Sequence, residues 1–144
     1  MQIIINGSFK NTKENLIKKR AVLSQAIHTS GRIVQAAVME DIATYPSVDN
    51  GIFKSTISVD NSRELQSRVY SPVSYAKFLE KGTSSHFITP KTKKVLAWKS
   101  GGKWFYSKGH MVSGIAPRHH FGRTARKMAP IVRAYVEARL KAVS

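Results

Sequence analysis

The spacing of apolar residues near the start of the chain predicts one long helix over residues 12–44. Five apolar residues recur at alternating intervals of seven and four, which keeps them on one side of a helix. They are Leu16, Leu23, Ile27, Val34 and Val38. Thr12 is placed to cap this helix, although Asn15 stands where a full capping box has Glu or Gln. Pro46 disfavours the helical conformation at the residue before it, so we expect the helix to end there.

The pattern then shortens to the two-residue period of β-strands. Asn50 and Gly51 are typical of a turn, and alternating segments follow at residues 55–60 and 64–72. The three residues between these segments favour a connection between antiparallel strands. The sequence therefore predicts a first β-hairpin in the middle of the chain.

A second hairpin is predicted over residues 94–108, where apolar segments flank Gly101 and Gly102. Trp98 and Trp104 are expected to pack across it. Aromatic residues alternate with lysines here, as they do in proteins that stack nucleic-acid bases. The favoured interpretation places the rings in the core, because aromatic residues of a hairpin usually pack there.

Two further helices complete the pattern. A short helix is predicted in residues 74–82 and ends at Gly82, and a final helix is predicted at about 121–142. Pro130 either kinks the final helix or marks its true start. One apolar stripe of that helix contains Met128, Val132, Tyr135 or Val136, and Leu140.

These elements predict an α+β fold, in which a long N-terminal helix and a C-terminal helix pack on an antiparallel sheet. The 144 residues fit one domain, and 42% of them are hydrophobic, enough to form a core. Internal repeats and long linkers are absent from the sequence, so residues 1–144 are interpreted as a single domain.

Charge changes the picture most. The chain has 24 Lys and Arg against 8 Asp and Glu, a net charge of +16. Such a charge favours contact with DNA, RNA or an acidic protein. Cys is absent, which excludes disulfides and thiolate metal sites. The N-terminal apolar run is too short for a signal peptide, and no run is long enough to span a membrane, so we expect a soluble, unsecreted protein without a membrane partner.

Candidate catalytic chemistry is sparse. His119 and His120 are adjacent, and a shared metal with His86 or His110 would need tertiary folding to bring them together. Neither a nucleophile motif nor a phosphate-binding loop is present in the sequence. We therefore expect no catalytic residues, no cofactor and no metal. A small nuclease would require a converged set of His and acidic residues.

Three segments share an order and spacing with a known family. They are YAKFLEKGT at residues 75–83, ITPKTKKVLAW at 88–98 and IAPRHHFGRTARK at 115–127. This order resembles the neck or minor tail-component family of long-tailed double-stranded-DNA phages. One departure is PRHHF, where the family often has a tighter Pro-x-Pro-Phe-Leu entry into the last helix.

The resemblance implies a structural virion protein made in the host cytoplasm. It would act in the neck or in tail completion at the head-to-tail junction, as part of a ring around the DNA channel. Its implied partners are further copies of itself and neighbouring neck, head-completion or tail-tube proteins, with possible non-specific contact with packaged DNA. The alternative function is a free-standing basic nucleic-acid-binding protein.

Two sets of candidate residues follow from the motifs and the charge. The assembly joint contains Tyr75, Glu80, Gly82, Thr83, Pro90, Pro117 and Phe121. The basic contacts are Lys18, Lys19, Arg20, Lys91, Lys93, Lys94, Arg118, Arg123 and Arg126.

Glu80 is the acidic residue of the predicted joint, and it lies at the C-terminal end of the short helix, where its charge opposes the helix dipole. We therefore expect an Arg or Lys, in this chain or in a neighbouring subunit, to hold its carboxylate. A solvated carboxylate is the alternative. If a neighbouring subunit supplies the cation, Glu80→Lys would leave the monomer folded.

Overall fold

The computed structural model describes residues 1–7, 13–45 and 50–143. Its helices are α1 (Lys13–Thr44), α2 (Asn50–Ser55), α3 (Ala76–Lys81) and α4 (His120–Lys141). Its strands are β1 (Gln2–Asn6), β2 (Ser58–Asp60), β3 (Gln66–Tyr70), β4 (His86–Ile88), β5 (Leu96–Ser100), β6 (Lys103–Ser107) and β7 (His110–Val112). The predicted α+β class, with a long N-terminal and a C-terminal helix, is confirmed.

The core forms where α1 crosses a three-stranded antiparallel sheet and packs beside α4. β3 is the central strand, with β1 and β2 on either side, so the predicted first hairpin is confirmed. The N-terminal segment joins this sheet as β1, a strand that the local sequence pattern did not predict. Val38, Val69 and Phe121 are buried in the core, one each from α1, β3 and α4. The sheet and both long helices therefore share one core.

The apolar stripe predicted for α1 faces this core. Leu23, Ile27, Val34 and Val38 are buried, and Leu16 is half-buried. The helix ends at Thr44, as expected, while Thr12 and Pro46 lie outside the described residues.

The structure contradicts the predicted turn at Asn50 and Gly51, and it decides between the two alternatives for Pro130. Asn50 and Gly51 do not form a turn but begin α2, and this helix carries the buried Phe53 into the core. Burial of one aromatic ring outweighs the local preference of Asn-Gly for a turn. Pro130 lies inside α4, so it does not mark the start of that helix.

The remaining strands do not join the three-stranded sheet. β4 pairs with β7, and β5 pairs with β6, each in a separate antiparallel pair. The two pairs therefore form a ribbon between α3 and α4, outside the sheet that the sequence led us to expect. Among the described helices, none is long and apolar enough to cross a membrane.

Candidate functional site

Glu80 caps the N-terminus of α4. Its side chain is buried, and its two carboxylate oxygens accept hydrogen bonds from the backbone N–H groups of Phe121 (3.0 Å) and Gly122 (2.8 Å). Since α4 begins at His120, these are the second and third residues of the helix, the usual partners of a capping side chain. The negative charge also lies at the positive end of the α4 dipole.

A distant cap is needed because the sequence supplies no local one. His119 precedes α4 with φ 54° and makes no side-chain capping hydrogen bond, and the first turn has no acidic residue. The carboxylate instead comes from α3, about forty residues earlier in the chain. The absence of Ser, Thr, Asp or Asn before α4 is the sequence signal for this contact.

The expected cation at Glu80 is therefore wrong. Backbone N–H groups of the same chain hold both carboxylate oxygens, so the residue is neither solvated nor directed to a neighbouring subunit. We therefore expect Glu80→Lys to destabilise the monomer, because the ammonium would replace an acceptor beside buried donors. The sequence placed Glu80 correctly on α3 but could not reveal what lies across from it.

Six hydrogen bonds join residues 79–83 to residues 115–122. Besides the two at the Glu80 carboxylate, Arg118 N–H donates to the Leu79 carbonyl and His119 N–H to the Glu80 carbonyl. Thr83 N–H donates to the Ile115 carbonyl, and Ile115 N–H donates to Thr83 Oγ1. We call residues 75–83 together with 115–122 the joint.

Gly82 is required in the joint by its conformation and its surroundings. Its φ of 73° with ψ of 178° lies in a region that is almost restricted to glycine. A Cβ at this position would lie 2.5 Å from the Ile115 carbonyl oxygen and 2.9 Å from Pro117 N. The close approach of the two segments therefore depends on a missing side chain.

Six of the seven residues predicted for the joint come together. Tyr75 precedes α3 with its ring 6.2 Å from that of Phe53, and Phe121 is buried in the core. Glu80, Gly82, Thr83 and Pro117 make the contacts given above. Pro90 does not belong to the joint, since it is half-buried in the connection between β4 and β5.

A second cluster fastens α1 to α4. The guanidinium of Arg123 donates to Asp41 Oδ1 and Oδ2, both at 2.7 Å, and also lies 4.2 Å from the centre of the Tyr45 ring. The buried His120 donates from Nδ1 to Asp41 Oδ2 at 2.7 Å. The partner of His120 is 79 residues away in the chain, so local sequence could not predict this contact.

The pKa values of Asp41 and Arg123 both shift in the direction that favours the charged form. Burial alone would raise the pKa of Asp41, but hydrogen bonds from Arg123 and His120 more than offset it, so the pKa lies below its ordinary value. The hydrogen bond from Arg123 to Asp41 correspondingly raises the pKa of the guanidinium. Arg123 is thus a structural ion-pair partner rather than a freely available surface cation.

The predicted basic contacts separate into three groups. Arg20 forms a bidentate pair with Glu64, Arg123 binds Asp41, and Arg126 donates to the Gly122 carbonyl. Arg118 and Lys19 are half-buried. The other members are exposed lysines, and none of them forms an ion pair with a described residue: Lys18, Lys91, Lys93 and Lys94.

Residues 84–114, which we call the arm, extend from the joint as a ribbon of two strand pairs. The arm strands contact each other and make at most marginal contact with the other described helices and strands. The arm contains six lysines and no Arg, Asp or Glu. Acidic residues are absent from the whole sequence between Glu80 and Glu137. The arm therefore presents positive charge without internal neutralisation.

The aromatic residues of the arm are exposed, which corrects the prediction that they join the core. Trp104 and Tyr106 are 60% and 66% exposed. Trp98 and Trp104 do not pair, because Trp98 lies opposite Phe105 and Trp104 opposite Lys99. Trp98 stacks on Phe105 with ring centres 5.7 Å apart, so the two faces of the hairpin carry different side chains. The periodicity of the sequence predicted the strands, but it did not indicate whether other parts of the protein pack on them.

The described parts of the chain contain no group of three or more His, Cys, Asp or Glu side chains that could hold a metal ion. The observed chemistry of the site is capping, ion pairing and presentation of lysines. Comparison of the chain with models of known protein families, with curated proteins and with solved structures finds no significant match.

Proposed function

We propose that this chain is a structural virion protein of a long-tailed double-stranded-DNA phage. It acts in the neck or in tail completion at the head-to-tail junction, as one subunit of a ring around the DNA channel. The observation that carries the proposal is the arm, an exposed ribbon that leaves the core at the joint. Of the three segments that resemble the phage family, two contain the whole joint, and the third, residues 88–98, belongs to the arm.

The apolar surface of the arm supports contact with another protein. Phe87 and Met111 lie opposite each other on β4 and β7, and both are more than half exposed. Exposed apolar side chains that adjoin each other commonly mark protein interaction sites. In the proposed ring, this pair packs against a neighbouring subunit.

A ring-forming subunit needs two different surfaces, since a heterologous interface joins unlike patches. The core provides a second apolar surface, a groove between β1 and α4 lined by Ile3, Ile5, Met128 and Val132. The groove and the arm lie on separate parts of the chain, which suits head-to-tail contact between copies. The role is structural, without catalysis.

Inactivation of the gene in its phage tests this function. We expect cells to accumulate heads and tails that are not joined, and a copy of the wild-type gene should restore tailed particles. Complementation with Phe87→Ser should fail, whereas His86→Ser, at the adjacent exposed position, should succeed. Normal tailed particles without the protein would refute the proposal.

The second candidate function is that of a free-standing basic nucleic-acid-binding protein. The acid-free arm favours it, because clustered lysines attract phosphates in any setting. Gene position separates the two functions. A gene among portal, head-completion and tail genes supports the neck role, and a gene among regulators supports the alternative.

A further inference from the structure

The hairpin of β5 and β6 differs from the other strand pairs that the structure describes in that every residue from Ala97 to Tyr106 is exposed. A strand that packs on a core buries one face, and this hairpin buries neither. Lys99 and Lys103 lie near its tip. Because directly opposed residues share a face, Lys99 is on the face of Trp104 and Lys103 is on the opposite face, with Phe105.

The tip between the two lysines is narrow. Gly101 and Gly102 have φ of 55° and 79°, as a tight two-residue hairpin turn requires. A Cβ at either position would meet no atom within 4 Å. The tip therefore has no side chains of its own and is free to approach another molecule closely.

We propose that this hairpin enters the major groove of duplex DNA tip first, with Lys99 and Lys103 contacting the phosphates on either side. Packed sheets lie about 10 Å apart, so a ribbon with its side chains is about that thick, and the major groove is about 12 Å wide. Lysines on opposite faces of the ribbon then each face one wall of the groove. Because the lysines contact phosphates and not base edges, the binding does not depend on the base sequence.

Charge complementarity identifies the partner as a polyanion. The arm has no acidic residue, and its cations are all lysines. Lysine is depleted in protein–protein interfaces, whereas it is a common ligand of phosphate groups. The exposed Trp104 and Tyr106 add N–H and O–H donors for phosphate oxygens. This DNA contact does not depend on the proposed neck role.

The first test measures binding of the purified full chain to a labelled DNA duplex by fluorescence anisotropy at several salt concentrations. We expect Lys99→Gln/Lys103→Gln to weaken binding about tenfold or more, and to reduce the slope of log K against log salt by about two. The control Lys127→Gln/Lys141→Gln removes two exposed lysines of α4 that are outside the predicted basic contacts, and it should change the slope little. Equal losses in both double variants would show attraction by net charge alone and overturn the proposal.

A second test changes one charge at constant shape. Gly101→Asp and Gly101→Asn have nearly the same side-chain volume, and both residues tolerate a φ near 55°. We expect Gly101→Asp to weaken duplex binding at least threefold relative to Gly101→Asn, because the carboxylate repels phosphates. Equal affinities would contradict entry of the tip into the groove.

Two control measurements distinguish duplex DNA from other possible partners of the hairpin. Light scattering on the same variants should show an unchanged molecular mass, and loss of self-association instead of DNA binding would identify the hairpin as a contact between copies. Competition should favour duplex over single-stranded DNA. Tighter binding of the single strand would overturn the groove model in favour of base stacking on the exposed rings.

Discussion

The joint and the arm are neighbours in the chain but use charge in opposite ways. In the joint, Glu80 is buried and accepts two backbone hydrogen bonds. Beside it, Asp41 binds Arg123 and His120. In the arm, lysines are exposed and no acidic residue balances them. The chain has few acidic residues, and several of them stabilise the fold through hydrogen bonds and ion pairs. The excess of basic residues remains on the surface, where it is available to bind other molecules.

The largest expected effect comes from removing the cap of α4. Glu80→Ala leaves the N–H groups of Phe121 and Gly122 without their acceptors, which should lower the free energy of unfolding by about 2–4 kcal/mol. Glu80→Lys should be worse and prevent stable folding. Urea unfolding checks both variants. Glu80→Gln keeps one acceptor oxygen, so its free energy of unfolding should decrease less. A Glu80→Ala variant as stable as wild type would contradict the capping role of Glu80.

The joint should be nearly as sensitive at Gly82. Gly82→Val forces a branched residue into a conformation that is almost restricted to glycine and against the Ile115 carbonyl, so we expect a loss of about 2 kcal/mol or more. Thermal unfolding followed by circular dichroism measures it. Gly51→Ala is the matched control, because a Cβ there meets no atom within 4 Å and should be tolerated. Equal stability of both variants would contradict the claim that the joint has no room for a side chain at residue 82.

The Asp41 cluster should give a smaller, pH-dependent effect. Because the pKa of Asp41 in the fold is below its ordinary value of 3.8, its contribution is fully present above that pH and is lost as the pH falls towards the lower value. The stability difference between wild type and Asp41→Asn, about 1–2 kcal/mol near neutral pH, should therefore shrink in acid. Urea unfolding at a series of pH values measures it.

Glu137→Gln changes an exposed acid on α4 and serves as the control for that series. It should alter stability by less than about 0.5 kcal/mol throughout. A difference between wild type and Asp41→Asn that stays constant or grows as the pH falls below 3.8 would contradict the ion-pair account.

The smallest effect on global stability is expected in the arm. Trp104→Ala removes a ring that is 60% exposed on strands that barely touch the core, so the free energy of unfolding should change by less than about 0.5 kcal/mol. Hydrogen exchange should nevertheless quicken within β5 and β6, because local stability is not uniform across a protein. A decrease in the free energy of unfolding as large as that of Glu80→Ala would contradict the claim that the arm contributes little to global stability and the joint much.

Periodicity predicted the elements whose residues lie close together in the chain. α1, the β2–β3 pair, α3, the β5–β6 hairpin and α4 all follow from spacing and turn residues, which act over a few positions. β1, β4, β7 and α2 were missed because their formation depends on distant partners. β3 pairs with β1, β4 pairs with β7, and the core receives Phe53 from α2. Local patterns do not report such contacts.

The candidate site shows the same limit. The sequence placed Glu80, Gly82 and Phe121 in one joint, but it could not reveal that the carboxylate meets the N-terminus of α4 instead of a cation. Likewise, the sequence pattern of Trp104 and Tyr106 is that of ordinary hairpin residues, and only the tertiary arrangement leaves them uncovered. The missing N-cap before α4 was the one local sign that a distant acid was required.

Cryo-electron microscopy of the assembled particle tests the central claim most directly. We predict a ring of copies of this chain between head and tail, each with its Glu80 carboxylate on its own α4 and its arm extending beyond its own core to a neighbour or to the DNA. Purified tailed particles that lack the chain, or a ring in which the arm folds back on its own core, would contradict the account.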